Sequence, residues 1–168
     1  MKANKKMSRL LTALLFNEGF ILKIVVDADG CPVVNITINI AKDKNIKCII
    51  VCDTSHEISN DYAEIIIVSK GADSADFKIV NIINENDIVI TQDYGLAAMC
   101  LSKKAFVLNQ NGIIYSEKNI DNLLFSRHVS KVQRKAGKHL KGPKKRTGEQ
   151  DTIFQTVLKE TVNKALDK

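Results

Sequence analysis

The sequence predicts an α/β fold built on a central, mainly parallel sheet of four to five strands flanked by helices in three layers. Three observations carry this expectation. Short apolar runs of strand length recur at Lys23–Asp27, Ile46–Asp53, Glu64–Ser69, Asp87–Thr91 and Ala105–Leu108. Stretches with helical spacing of apolar residues lie between most of them, the pattern of parallel strands joined by helical crossovers. The runs are apolar at consecutive positions, as strands covered on both faces require.

Taken in order, Lys23–Asp27 (KIVVD) is a short buried strand followed by the turn Asp29-Gly30-Cys31-Pro32. Pro32 suits the first position of a helix, where a missing N–H costs nothing, so Val33–Lys44 is read as helix despite its Val, Ile, Thr and Asn content. Ile46–Asp53 and Glu64–Ser69 are strands separated by a polar loop. Asp73–Asn84 places Ala75, Phe77, Ile79, Val80, Ile82 and Ile83 at helical spacing. Asp87–Thr91 (DIVIT) is the fourth strand, Tyr94–Lys103 a helix and Ala105–Leu108 the fifth strand. Asn111-Gly112 signals a hairpin leading into Ile113–Tyr115. Asn119 to about Lys135 is helical, 137–148 is a Gly, Pro and Lys-rich loop, and an amphipathic helix from about Glu149 to Ala165 closes the chain.

A chain of 168 residues is long enough for one sizeable core. With 45% hydrophobic and 26% charged residues, the composition excludes a disordered chain, a fibre or a disulfide scaffold. No apolar run approaches the ~20 residues of a membrane-spanning helix. Four cysteines without a CxxC pair are read as buried, reduced thiols, which fits a cytoplasmic protein. Residues 1–22 loosely mimic a signal peptide. Thr12 interrupts the apolar stretch, however, and Asn17-Glu18-Gly19 replaces a small-x-small cleavage site, so this segment is read as an extension ahead of the domain.

The net charge of +6 conceals a strong asymmetry. Residues 23–125 hold nine bases against fourteen acids, whereas residues 126–148 hold nine bases and no acid. A basic segment of this kind neutralises phosphates, or is a solvated tail.

The acids fall in a pattern. Asp27 closes the first strand and Asp29 follows it; Asp93 comes just after the fourth strand; Asp73 and Asp76 open a helix on one face. Ligands of open α/β sheets bind beyond the carboxyl ends of the strands, where the strand order reverses. If the first and fourth strands are neighbours there, the carboxylates converge. Such a cluster repels itself, and a divalent cation relieves the repulsion; all-oxygen ligands favour Mg²⁺ or Mn²⁺. Asp at a strand end or helix start also serves simply as a cap. Acid site and basic flank together point to phosphoryl chemistry, most naturally on nucleic acid.

Asp27-Ala28-Asp29-Gly30-Cys31-Pro32, Gly71-Ala72-Asp73-Ser74-Ala75-Asp76, and Asp87–Asp93 with Leu96-Ala97 resemble the bacterial YaiI/YqxD family. So do Gly112 with Tyr115, Asn119-Ile120-Asp121, and Gly142-Pro143 ahead of Arg146-Thr147 and Asp151. The likeness runs from about Lys23 to the C-terminus. It implies residues 23–168 as a single PIN-like domain, with 126–148 its basic segment and 1–22 outside it. It also implies Asp27, Asp29, Asp73, Asp76 and Asp93 as the acidic cluster of a metal-dependent ribonuclease.

On this reading Asp27 and Asp93 hold the metal directly, and Asp29, Asp73 and Asp76 complete its shell or position water. Thr91 either donates a hydrogen bond at the strand end or is simply a buried threonine. Arg127, Lys131, Arg134 and Lys135 on one helix, and Lys144, Lys145 and Arg146 in the loop, contact RNA phosphates. Two other readings remain. One is a phosphatase of the haloacid dehalogenase type with Asp27 as nucleophile and Asp29 as acid/base, against which Cys31-Pro32 departs from the expected Thr. The other is a non-catalytic RNA-binding or interaction protein. None of His56, His128 and His139 sits beside the acid cluster in sequence; His128 and His139, in the basic segment, are read as surface or phosphate-contact residues, and Cys31 as a packed thiol.

Overall fold

The structure, a computed structural model, describes residues 22–54, 58–71, 73–136, 142 and 145–168. The extension up to residue 21, His56, His139 and Lys144 lie outside the described residues.

In chain order the elements are β1 (Lys23–Asp27), α1 (Val34–Asp43), β2 (Lys47–Asp53), β3 (Glu64–Val68), α2 (Ser74–Ile82), β4 (Ile88–Ile90), α3 (Tyr94–Ser102), β5 (Phe106–Leu108), β6 (Ile114–Tyr115), α4 (Ile120–Lys135) and α5 (Gly148–Leu166). One sheet runs in the order β3-β2-β1-β4-β5-β6. Its first five strands are parallel, and β6 pairs antiparallel with β5. The sheet thus has six strands, not the four to five expected. The extra strand follows the Asn-Gly turn. Asn109 Oδ1 accepts from the backbone N–H groups of Asn111 and Ile113, and Gly112 adopts φ 79°, folding the chain back onto β5. Two residues of pairing are too short to show a period in sequence.

Alternation along the strands divides the core into two. Ile24 and Val26 join Cys48, Ile50, Cys52, Ile88, Ile90 and Leu108 under α1 and α5. Val25 joins Ile49, Val51, Val89 and Val107 under α2, α3 and α4. The result is a three-layer α/β architecture. In α1, Thr37, Ile38, Ile40 and Ala41 are buried and the Thr37 hydroxyl donates to the Val33 carbonyl. Burial of this face overrides the weak helix propensity of the β-branched residues. The helix starts at Val34, so Pro32 stands one residue before its N-cap rather than in its first turn. α5 opens on a reciprocal cap between Thr147 and Gln150.

At the amino edge of the sheet Asp87 is 2% exposed and pairs with Lys23 at 2.7 Å. Its carboxylate also accepts from the backbone N–H of Lys23 and of Asn84. Asp87 therefore ties the start of β1 to β4, at the end of the sheet opposite the other strand-associated aspartates. Among the described residues no helix is long and apolar enough to cross a membrane.

Candidate active site at the carboxyl edge of the sheet

From β1 the chain steps outward to β2 and β3, and α2 then carries it back to β4 on the other side of β1. The strand order reverses between β1 and β4, which opens a crevice at their carboxyl ends. Asp27 is the last residue of β1, and Thr91 follows β4 directly. Thr91 Oγ1 donates to Asp27 Oδ2 at 2.7 Å and accepts from the backbone N–H of Asp93 at 3.0 Å. The same threonine is fully buried, so both readings of it hold.

A groove of about 430 Å³ forms over this edge, and Asp27, Asp29, Asp73, Asp76 and Asp93 all line it. The topology has brought together the five acids predicted from sequence, from three separate stretches of chain.

Their environments differ. Burial pushes the Asp27 carboxyl up to about 6; the Thr91 hydrogen bond opposes this, and the charges of Asp76, Asp29 and Asp93 add to it. Asp76 is also raised, first by burial and then by Asp93 and Asp73. Asp93 goes the other way. Burial works to raise it but is outweighed by Arg127 and by the backbone N–H groups of Leu96 and Gly95, which hold it below the usual carboxylate value.

Two of these acids occupy N-cap positions, and only one acts as a cap. Asp93 Oδ1 accepts from Gly95 N and Leu96 N at 2.6 and 3.1 Å, closing the first turn of α3. Its Oδ2 takes Arg127 Nη1 at 2.8 Å. Asp73, at the N-cap of α2, makes no side-chain cap bond and sits at φ 63°, a left-handed conformation that Asp tolerates better than most residues. Asp29 is exposed, and its Oδ1 accepts from the backbone N–H of Asp53 at the end of β2.

Among the described residues, no three His, Cys, Asp or Glu side chains converge closely enough to share one ion. The donor chemistry suits a hard cation all the same. The groove is lined by five carboxylates with no His or Cys beside them, and Asp27 and Asp76 are raised by burial and by neighbouring charge that a cation would relieve. Asp93, expected as a direct ligand, commits its oxygens in this conformation to the α3 cap and to Arg127.

The basic residues separate by position. Arg127 lines the groove, with its guanidinium 5.8 Å from the Tyr94 ring centroid. Arg134 lies farther along the same helix, and Lys131, Lys135 and Lys145 are exposed and do not line the groove. Arg146, expected among the phosphate contacts, is turned inward. Its Nε donates to Asp151 Oδ1 at 2.6 Å, Nη1 to Asn111 Oδ1 at 3.1 Å and Nη2 to the Gln110 carbonyl at 2.8 Å. The guanidinium thus joins the β5–β6 turn to the start of α5. Its spacing from Asp151 and the hairpin turn carried no sequence signal that separated this role from a solvated one.

Gln92 escaped sequence reasoning: it lines the groove and its Nε2 donates to the Gly30 carbonyl at 3.0 Å, tying together the loops after β1 and β4. Only its place beside Asp93 could have flagged it. His128 is exposed on α4. Burial pushes the Cys31 thiol up to about 11, which keeps it protonated and fits packing rather than nucleophilic chemistry. Cys48, Cys52 and Cys100 are buried and unbridged.

The sequence profile described as "Uncharacterized BCR, YaiI/YqxD family" matches residues 25–164. The UPF0178 protein of Lachnoclostridium phytofermentans is 50% identical over 142 residues, covering 83% of this chain and 95% of that protein. The UPF0178 protein of Exiguobacterium sibiricum is 43% identical over 146 residues, covering 87% and 100%. Among solved structures, the crystal structure of Rae1 (YacP) from Bacillus subtilis is similar at a TM-score of 0.41 and 14% identity, covering 86% of this chain and 99% of that one.

Proposed function

The chain belongs to the uncharacterized YaiI/YqxD family, and from the chemistry of its groove we propose that it is a metal-dependent nuclease that cleaves RNA. The observation that carries this reading is the pairing of Asp27 and Asp76 in one groove at the strand-order reversal, both raised by burial and by neighbouring acids.

Asp27 and Asp76 would hold Mg²⁺ or Mn²⁺, with Asp73 beside them. When bound, such an ion supplies an activated water and stabilises negative charge developing on a phosphodiester. The other residues act on position and charge. Thr91 holds the Asp27 carboxylate in one orientation through its 2.7 Å bond. Asp93 and the Tyr94 ring hold the Arg127 guanidinium at the groove wall, where it meets a phosphate oxygen. Asp29, exposed at the rim, would accept a proton from water.

The test incubates purified protein with labelled single-stranded RNA in Mn²⁺, Mg²⁺ or EDTA, with the double variant Asp27→Asn/Asp76→Asn prepared in parallel as the control for contaminating nuclease. Cleavage with either metal is expected, and both EDTA and the double variant abolish it. A folded protein that cuts nothing with either metal would refute the nuclease reading.

A further inference from the structure

We propose that the cleft between the start of α3 and the C-terminal half of α4 is a second phosphate site. It takes the backbone phosphate next to the one at the acidic groove, so the substrate is an oligonucleotide strand rather than a mononucleotide. This inference rests on the nuclease reading for the identity of the strand, but its binding test does not need turnover.

The cleft, of about 300 Å³, is lined by Gln92, Tyr94, Ser126, Arg127, Ser130 and Arg134. It shares Gln92 and Arg127 with the acidic groove, so the two sites are contiguous. The pattern of α4 is unusual for a packed helix. Its first turns place Ile120, Leu123 and Leu124 in the core. Continuing the same stripe by threes and fours leads to Arg127, Ser130 and Arg134, where a helix lying on a protein core would carry apolar residues. After Asp121 the helix contains no acid.

Two guanidinium groups, with the Ser130 hydroxyl between them and Ser126 preceding Arg127, form a donor set for phosphate oxygens. Arg127 and Arg134 are seven residues apart, about 10 Å along the helix axis. Arg127 is already matched by Asp93, whereas no carboxylate among the described residues pairs with Arg134. The uncompensated positive charge of the cleft therefore sits at Arg134, away from the acids. That separation makes Arg134 the residue through which the site is tested without disturbing the cluster.

The experiment measures affinity for a fluorescein-labelled single-stranded hexaribonucleotide across a salt series, in an Asp27→Asn background that removes turnover. Arg134→Gln is expected to weaken binding about tenfold, the worth of a hydrogen bond to a charged group. It should also flatten the slope of log affinity against log salt by about 0.7, one single-strand phosphate contact. Arg134→Lys should keep the slope. Lys159→Gln, which removes the same charge from α5 on the opposite face of the sheet, should change affinity less than about twofold.

Equal effects of Arg134→Gln and Lys159→Gln would overturn the site. So would RNA affinity untouched by Arg134→Gln while inorganic phosphate binding is lost, because the cleft would then be a free-anion site. In the Asp27-bearing protein, RNA cleavage with unchanged kcat/KM in Arg134→Gln would sink the second site and leave the nuclease reading standing. The expected loss of affinity without any cleavage would do the reverse.

Discussion

The Thr91 hydroxyl donates to Asp27 Oδ2 at 2.7 Å from the neighbouring parallel strand end, and Thr91 Oγ1 in turn accepts the Asp93 backbone N–H. One buried side chain thereby couples the ends of β1 and β4. It stabilises the ionised form of a carboxylate that burial and nearby acids drive toward protonation. Removing this donor should be visible at Asp27 itself. Thr91→Val keeps the shape of the side chain but leaves Asp27 without its hydroxyl, so the Asp27 carboxyl should titrate above its present value of about 6. The protein should lose about 1–2 kcal/mol. Carbon-detected titration of the aspartate carboxyls and urea unfolding check both, and Thr91→Ser should restore the titration. An unshifted Asp27 in the valine variant would show that the bond does not tune it.

Asp27 should also cost the fold stability at neutral pH. Its native value of about 6 lies above the ordinary aspartate value of 3.8, so the native state holds a proton that the unfolded chain has lost between those limits. Stability therefore falls as pH rises through that window, and the penalty is complete above about pH 7. Asp27→Asn, which cannot ionise and still accepts from Thr91, should be more stable than the parent by about 2–3 kcal/mol at pH 7.5. The gain should nearly vanish by about pH 4, where both forms are neutral in the folded state. Urea midpoints at the two pH values decide the point, and a pH-independent difference would contradict the assigned cause.

Asp87 belongs to the same family-like stretch as Asp93 but performs a different task. It is buried against Lys23 at the amino edge of the sheet. Asp87→Ala leaves a buried ammonium and two backbone N–H groups without their acceptor, and should cost about 3 kcal/mol or more. Metal-induced stabilisation of the surviving folded protein should be unaltered. Denaturant unfolding with and without Mn²⁺ separates the two, and loss of the metal response at unchanged stability would reverse the assignment.

Arg146 is expected to behave as a tether. Arg146→Gln breaks the contacts to Asp151, Asn111 and the Gln110 carbonyl and should lower stability by about 2 kcal/mol. RNA affinity should stay within about twofold at fixed salt. A preserved melting temperature with a flattened salt dependence would instead return Arg146 to the phosphate contacts.

Much of this was legible in the residues alone. The apolar runs closing on Asp27 and leading to Asp93, the spacing of α2 and α3, and the Asn-Gly turn are local features, and each element lies within a residue or two of its expected place. The aspartates could be named because a strand that ends in a carboxylate is a local pattern. Their different roles could not. Asp73 and Asp93 look alike in sequence, each opening a helix, yet Asp93 closes the turn of α3 and Asp73 makes no cap. The difference is one of backbone conformation, φ 63° against φ −88°, and no neighbouring residue type dictates it.

By itself, then, the sequence determined the elements, the layers they form and the stock of acids and bases, because period and propensity act over a few residues. The tertiary structure decided which strand ends are neighbours. Only with β4 beside β1 do Asp27 and Thr91 meet across 64 positions of chain, and only with α4 laid against α3 does Arg127 reach Asp93. It likewise turned Arg146 inward and added β6 to the sheet. Those choices follow from burying two apolar faces of one sheet at once, a condition on the whole chain that no window of it contains.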